Sequence, residues 1–156
     1  MTTETIRAAI VATLNTVPDI GVVHDRERYA GEMNKQRALY VRDGKLNGWF
    51  VSRRSQRNEP RGVGNNRRLV ATQWELRGYR ALYDDESSEI AHDAVIDGIV
   101  DAFRADPELG GTVIDQLSDP YDEGTLGPQL ALSGPVMFAG VLCHRASLLL
   151  VTRHYE

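Results

Sequence analysis

At 156 residues, 42% of them hydrophobic and with a net charge of −4, the chain has the size and composition of one folded domain able to bury a substantial core. No apolar run approaches the roughly 20 residues of a membrane-spanning helix, which argues against a membrane protein; the run at 146–151 has the length of a strand. Cys143 stands alone, so an internal disulfide is excluded and a reducing cytoplasm suits the chain, while Met-Thr-Thr-Glu-Thr at the start lacks the basic and apolar regions of a signal peptide.

In chain order, residues 3–15 predict a first helix. Ile6, Ala9, Ile10, Leu14 and Val17 make one apolar stripe, Thr2 or Thr3 can cap it, and Pro18 stops it. Residues 21–26 predict a short strand at a sheet edge, and 28–34 a polar loop. Residues 37–42 are ambiguous, with Leu39-Tyr40-Val41 before Asp43-Gly44 favouring a strand that ends in a turn. Residues 48–53 predict another strand. Residues 54–68 then lose all periodicity, with many arginines against one acid and with Pro60, Gly62 and Gly64; they are expected to form a long mobile loop between two antiparallel strands.

The central stretch is 69–103. Val70, Trp74 and Leu76 alternate with Gln73, Glu75 and Arg77, the period of a strand with one buried face. Acidic residues 84–86 interrupt it, and Ser87 or Ser88 is placed to cap a helix. Over 89–104, Ala91, Val95, Ile99 and Ala102 recur at helical spacing, reinforced by Ile90, Ala94 and Phe103, until Asp106-Pro107 ends the helix. Gly110-Gly111 turns into a strand over 112–117, residues 118–127 predict an acidic loop, and pairing resumes near Leu130. Residues 135–155 close the chain as one long strand or a bent pair. The order α-β-β-β-β-α-β-β implies a single α+β domain over 1–156, a largely antiparallel, mixed sheet with two main helices on one face.

Catalytic patterns are weak. His24, His92, His144 and His154 have no metal-ligand spacing, and Cys143 and His144, adjacent on a strand, must point to opposite faces. Asp84, Asp85, Glu86 and Glu89 fit a helix start better than a metal site. No enzyme, metal or cofactor is expected. Two charged sets stand out. Arg53, Arg54, Arg57, Arg61, Arg67 and Arg68 can contact phosphates without regard to sequence. Glu89, Asp93, Asp97 and Asp101 form an acidic stripe at four-residue steps, opposite the apolar one. Each set can simply face solvent; alternatively one copy's arginines meet the next copy's carboxylates, a head-to-tail contact that closes a ring.

Several stretches carry a resemblance: the N-terminal helix ending at Pro18-Asp19-Ile20-Gly21, the strand Gln73-Trp74-Glu75-Leu76-Arg77-Gly78-Tyr79 and the helix at 90–103. Pro107-Glu108-Leu109-Gly110-Gly111-Thr112-Val113 and Phe138-Ala139-Gly140-Val141-Leu142-Cys143-His144 continue it. In this arrangement the chain resembles the tail terminator, or tail completion, proteins of long-tailed phages and prophages. The resemblance implies an α+β subunit of a homo-oligomeric ring, a hexamer, without cofactor or catalytic residue. Such a ring caps the tail tube and joins it to the head-side connector. Its expected partners are other copies of itself, the tail tube protein and the connector protein, with DNA only passing through the lumen. Its expected location is the virion tail, and the host cytoplasm during assembly. A head-closure or other neck protein, or a small nucleic-acid-binding protein using the arginine loop, is the alternative.

Overall fold

The structure is a computed structural model that describes residues 2–60, 67–119 and 122–156. Helix α1 (Thr3–Leu14) leads into strand β1 (Val22–His24), the short helix α2 (Met33–Ala38) and strand β2 (Val41–Arg42). The long strands β3 (Lys45–Pro60) and β4 (Arg68–Ala81) follow, then a 3₁₀ turn (Asp84–Glu86) and helix α3 (Ser88–Ala105). The chain ends in β5 (Asp115–Asp119), β6 (Asp122–Leu126), β7 (Gln129–Phe138) and β8 (Val141–Tyr155).

The strands form one mixed sheet in the order β1-β3-β4-β8-β5-β6, with β2 beside β3 and β7 beside β8. Only the β1–β3 pairing is parallel among the described residues. The α+β architecture is as expected, with α1 and α3 packed on one face. There Ile6, Ile10 and Leu14 of α1 and Val95, Ile96, Ile99 and Phe103 of α3 meet Trp49, Val51, Trp74, Leu76, Leu148 and Leu150 of the sheet. Full burial of each large aliphatic side chain contributes about 1.5–3 kcal/mol. The second face carries a smaller cluster in which Tyr40 packs with Leu46, Phe50, Tyr79 and Cys143 of the sheet.

Trp49 lies against the backbone of Gly78, its partner across the β3–β4 ladder. A Cβ on Gly78 would stand 2.2 Å from Trp49 Cε2, so only glycine admits the ring. His92 of α3 stacks on the other side of that ring at 5.9 Å between centroids, and His144 of β8 stacks on His92 at 5.8 Å. A strand, a helix and a second strand are thereby held in one column.

Several expectations need correction. Residues 54–60 are not loop: they continue β3, and after a bulge at Arg54 residues 55–60 pair one by one with 68–73 of β4. Their side chains are almost all exposed on both faces, which is why no period shows; the backbone ladder holds them, with the Arg54–Glu75 and Ser55–Gln73 bonds across it. Residues 61–66, the rest of the expected mobile loop, lie outside the described residues.

Helix α2 replaces the expected loop and strand at 33–38. At six residues it is too short for a periodic signal. It is held by Gln36, which accepts from Ala30 N–H and donates to the Arg28 carbonyl, and by Arg37, which donates twice to the Ala139 carbonyl. Thr2 caps α1 through its hydroxyl, but Ser87 makes no side-chain cap for α3 and sits in the left-handed region at φ 54°. On α3, Ile90 and Ala94 face solvent, and His92 and Ile96 take the inward positions.

The expected strand at 112–117 begins only at Asp115, and β6 occupies part of the expected acidic loop. The closing segment is a hairpin, β7–β8, turned at Ala139-Gly140 with φ 49° and 81°. Two positive φ values are what a two-residue hairpin turn needs, and the Arg37 bonds to Ala139 hold a residue that alone would resist one.

The Gly78→Ala variant should lose about 1–3 kcal/mol, seen as a lower denaturation midpoint at unchanged m-value. Gly134→Ala, where an added methyl meets nothing within 4 Å, should stay within about 0.5 kcal/mol of the parent. Equal midpoints for both would show that the Trp49 ring has room to move.

Candidate functional site

The described arginines of the first charged set do not form one patch. Alternation along β3 sends Arg53 and Arg54 to opposite faces, and a bulge between the pairs Arg53–Trp74 and Ser55–Gln73 then puts Arg57 on the face of Arg54. Arg53 points to the helical side, 3.5 Å from Thr3 Oγ1 and 3.4 Å from Gln56 Oε1. Arg54 points to the other face and donates from Nε and Nη2 to Glu75 Oε1, at 3.1 and 2.5 Å. Arg57 pairs with Glu59, Arg68 lies 3.7 Å from Glu156, and Arg67 stacks over Tyr155 at 4.0 Å. Arg61 falls outside the described residues. Half of the expected phosphate-contacting set thus already has a carboxylate partner within the subunit.

The acidic set keeps its expected geometry. Glu89, Asp93, Asp97 and Asp101 are all exposed along the outside of α3. None has an ion-pair partner among the described residues. Within one subunit the two charged sets do not meet: the arginines of the β3–β4 hairpin reach Glu27, Glu59, Glu75 and Glu156 instead.

Sequence reasoning missed the centre of the second face. Glu75, expected to point to solvent, is only 8% exposed. Arg54 holds one of its oxygens, while Ser147 Oγ donates to the other at 2.6 Å and Arg77 Nη2 at 3.1 Å. Burial pushes this carboxyl's pKa up, but the bonds from Ser147, Arg54 and Arg77 outweigh it and hold it below the ordinary carboxylate value. The available signal was Ser147, a hydroxyl inside the apolar run 146–151.

On the helical side, Ser88 Oγ lies 2.8 Å from His144 Nε2 and accepts the Tyr83 N–H at 2.9 Å. A serine and a histidine at this distance have the spacing of a nucleophile and its base. Here the bond ties the first turn of α3 to β8. Ser88 also lines a polar cavity of about 400 Å³ at the end of the sheet, where Arg42, Lys45 and Arg80 face Asp19, Asp43 and Glu86. The charges there balance: Arg80 lies 2.8 Å from Asp19 and Lys45 lies 3.1 Å from Glu86.

Cys143 points to the opposite face from His144, as expected, and donates to the Val136 carbonyl. Burial pushes its thiol up to about 11, so it is protonated at neutral pH. Among the described residues, no group of three His, Cys, Asp or Glu side chains is placed to hold a metal ion, and no helix is long and apolar enough to cross a membrane. No protein-family model matches this sequence, and comparison with curated proteins finds no match.

The buried groups set the response to acid. His92 is held neutral, its pKa lowered from 6.5 to about 4 by burial first and then by the neighbouring His144 and Arg80. The unfolded chain binds the extra proton, so stability falls as pH drops from 6.5 to about 4, by about 3 kcal/mol in all. Glu75 has the opposite charge type but the same outcome in a lower window: its stabilisation is present above the ordinary carboxylate pKa and is lost as pH falls below it. In urea titrations across pH 3.5–7, His92→Phe should remove most of the upper step. A slope unchanged in that variant would show that His92 is already charged in the fold. Glu75→Gln, which leaves Arg54 and Arg77 facing a neutral amide, should cost about 2–3 kcal/mol at pH 7; no loss would show that the two arginines find water instead.

Proposed function

We propose that this chain is a structural subunit of a long-tailed phage or prophage tail, a ring-forming terminator that caps the tail tube and joins it to the head-side connector. The observation that carries the reading is the row Glu89, Asp93, Asp97 and Asp101, four exposed carboxylates without a partner among the described residues. Like charges at this spacing cost an isolated helix about 0.2–0.5 kcal/mol per pair. A basic surface brought by another copy, or by the tube or connector protein, relieves that cost. Arg53 and Arg67, which have no carboxylate partner among the described residues, are the cations of the hairpin left for such a contact. The order of elements adds the family, by resemblance alone. A head-closure protein of the same neck would use the same surfaces.

The second reading is a small nucleic-acid-binding protein, and the same two arginines favour it. Its affinity would fall with salt at a slope of about −0.9 per phosphate contacted on duplex DNA.

Both readings are separated by following tube length in electron micrographs while tail tube protein polymerises. The wild-type chain should stop elongation and sit at tube ends. The double variant Asp93→Arg, Asp97→Arg should keep its circular dichroism spectrum and lose at least about tenfold in capping. Capping unchanged in the variant would discard the acidic row as the contact. A wild-type chain without effect on tubes, but retained on DNA with a steep salt dependence, would put the second reading in its place.

A further inference from the structure

Among the described residues, the open edges of the sheet include part of β3 and the whole of β7, and these two differ in kind. Strand β3 is covered by β2 and β1 only as far as Phe50, so beyond Val51 its outer edge has no strand partner among the described residues. Strand β7 pairs with β8 on one side and, among the described residues, with no strand on the other. Its ten residues, Gln129 to Phe138, include no charge, and Leu130, Leu132 and Met137 are 43%, 48% and 63% exposed. An uncharged, exposed edge strand is a template for another strand, and soluble proteins normally blunt it with charges, proline or a bulge, or cover it. The β3 edge carries charges in Arg53, Arg54, Arg57 and Glu59; the β7 edge carries no charge and is interrupted at Pro135 and at the bulge between Leu130 and Leu132.

We propose that β7 of one copy pairs antiparallel with the outer edge of β3, residues 52–60, of the next copy, continuing the sheet from subunit to subunit. Three successive antiparallel pairings, β3 to β4, β4 to β8 and β8 to β7, leave β3 and β7 running in opposite directions. A neighbour in the same orientation therefore presents the right polarity and keeps its helices on the same side. The pairing joins two different surfaces, so it is head-to-tail and generates a ring when the rotation closes.

The sheet is also stepped. Ser133 stands level with Trp49 through Ala146 and Gly78, whereas Gln56, in the middle of the open β3 edge, is seven positions further along. At about 3.3 Å per residue each copy is displaced by roughly 20–25 Å along the strands, which a ring accommodates by tilting its strands to the axis. The apolar β7 side chains then lie against the arginine stems of β3.

This rests on the ring reading, and the test separates the two. Two tagged populations, Ser133→Cys and Gln56→Cys, are mixed under assembling conditions and oxidised; both positions are exposed and lie on the helical side of the sheet, and Cys143 is buried. The expected product is the mixed Ser133→Cys/Gln56→Cys crosslink, in at least about fivefold excess over either homodimer. The double variant Leu130→Lys, Leu132→Lys should keep the fold and sediment at 17.4 kDa. Dominant Ser133→Cys homodimers would overturn the proposal in favour of two-fold β7 pairing. Intact wild-type rings that form no crosslink and tolerate both lysines would overturn the strand pairing while the ring stands. A wild-type chain that stays monomeric even with tube protein overturns both.

Discussion

The helical side of this protein depends on one close approach, Trp49 lying across the bare backbone of Gly78. A large indole on β3 would ordinarily keep its neighbour strand's side chain at a distance. With no Cβ in the way, the ring lies flat and offers its outer face to His92. The column Trp49–His92–His144 then fixes the first half of α3 over β4 and β8, and Ser88 bonding to His144 closes it at the helix start. Downstream, Ile96, Ile99 and Phe103 need only follow the helical period to meet the core with α1. Orienting α3 in this way turns its acidic row outward.

The second face follows a different logic. Its lower half is a small aromatic core beneath Tyr40, and its centre is the buried carboxylate of Glu75 held by Arg54, Arg77 and Ser147. Alternation along β3 puts Arg54 on the Glu75 face, and the bulge after Arg53 shifts Arg57 to that face as well before the ladder runs on to Pro60. Arg54 thereby neutralises a buried acid, and the arginine set is split between two faces, Arg53 on one and Arg54 and Arg57 on the other. The same strand, left without a cover on its outer edge, is half of the proposed subunit contact.

What was legible in the sequence was what periodicity encodes. The stripe Ile6, Ile10, Leu14 and the alternation Val70, Trp74, Leu76 each report a face turned to a core, and both elements stand where those patterns place them. The row Glu89, Asp93, Asp97, Asp101 was equally legible, because exposure on a helix follows from spacing alone. The rest depends on contacts far apart in the chain. Residues 54–60 are a strand only because β4 supplies backbone partners, and their side chains bury nothing that would mark it. Helix α2 exists through the Gln36 and Arg37 bonds, the latter to a residue about a hundred positions away. The Ala139-Gly140 turn hides because its first residue lacks the usual turn chemistry, and the burial of Glu75 because a strand's polar side looks alike whether or not something covers it.

The central claim, that the chain is a ring subunit whose chemistry lies in its surfaces, is tested most directly by sedimentation velocity over two decades of concentration, with and without tail tube protein. The account predicts one closed species, a fixed multiple of the 17.4 kDa chain, with no ladder of intermediates and the same stoichiometry once tubes are present. A monomer under every condition, or an open-ended ladder that grows with concentration, would contradict it.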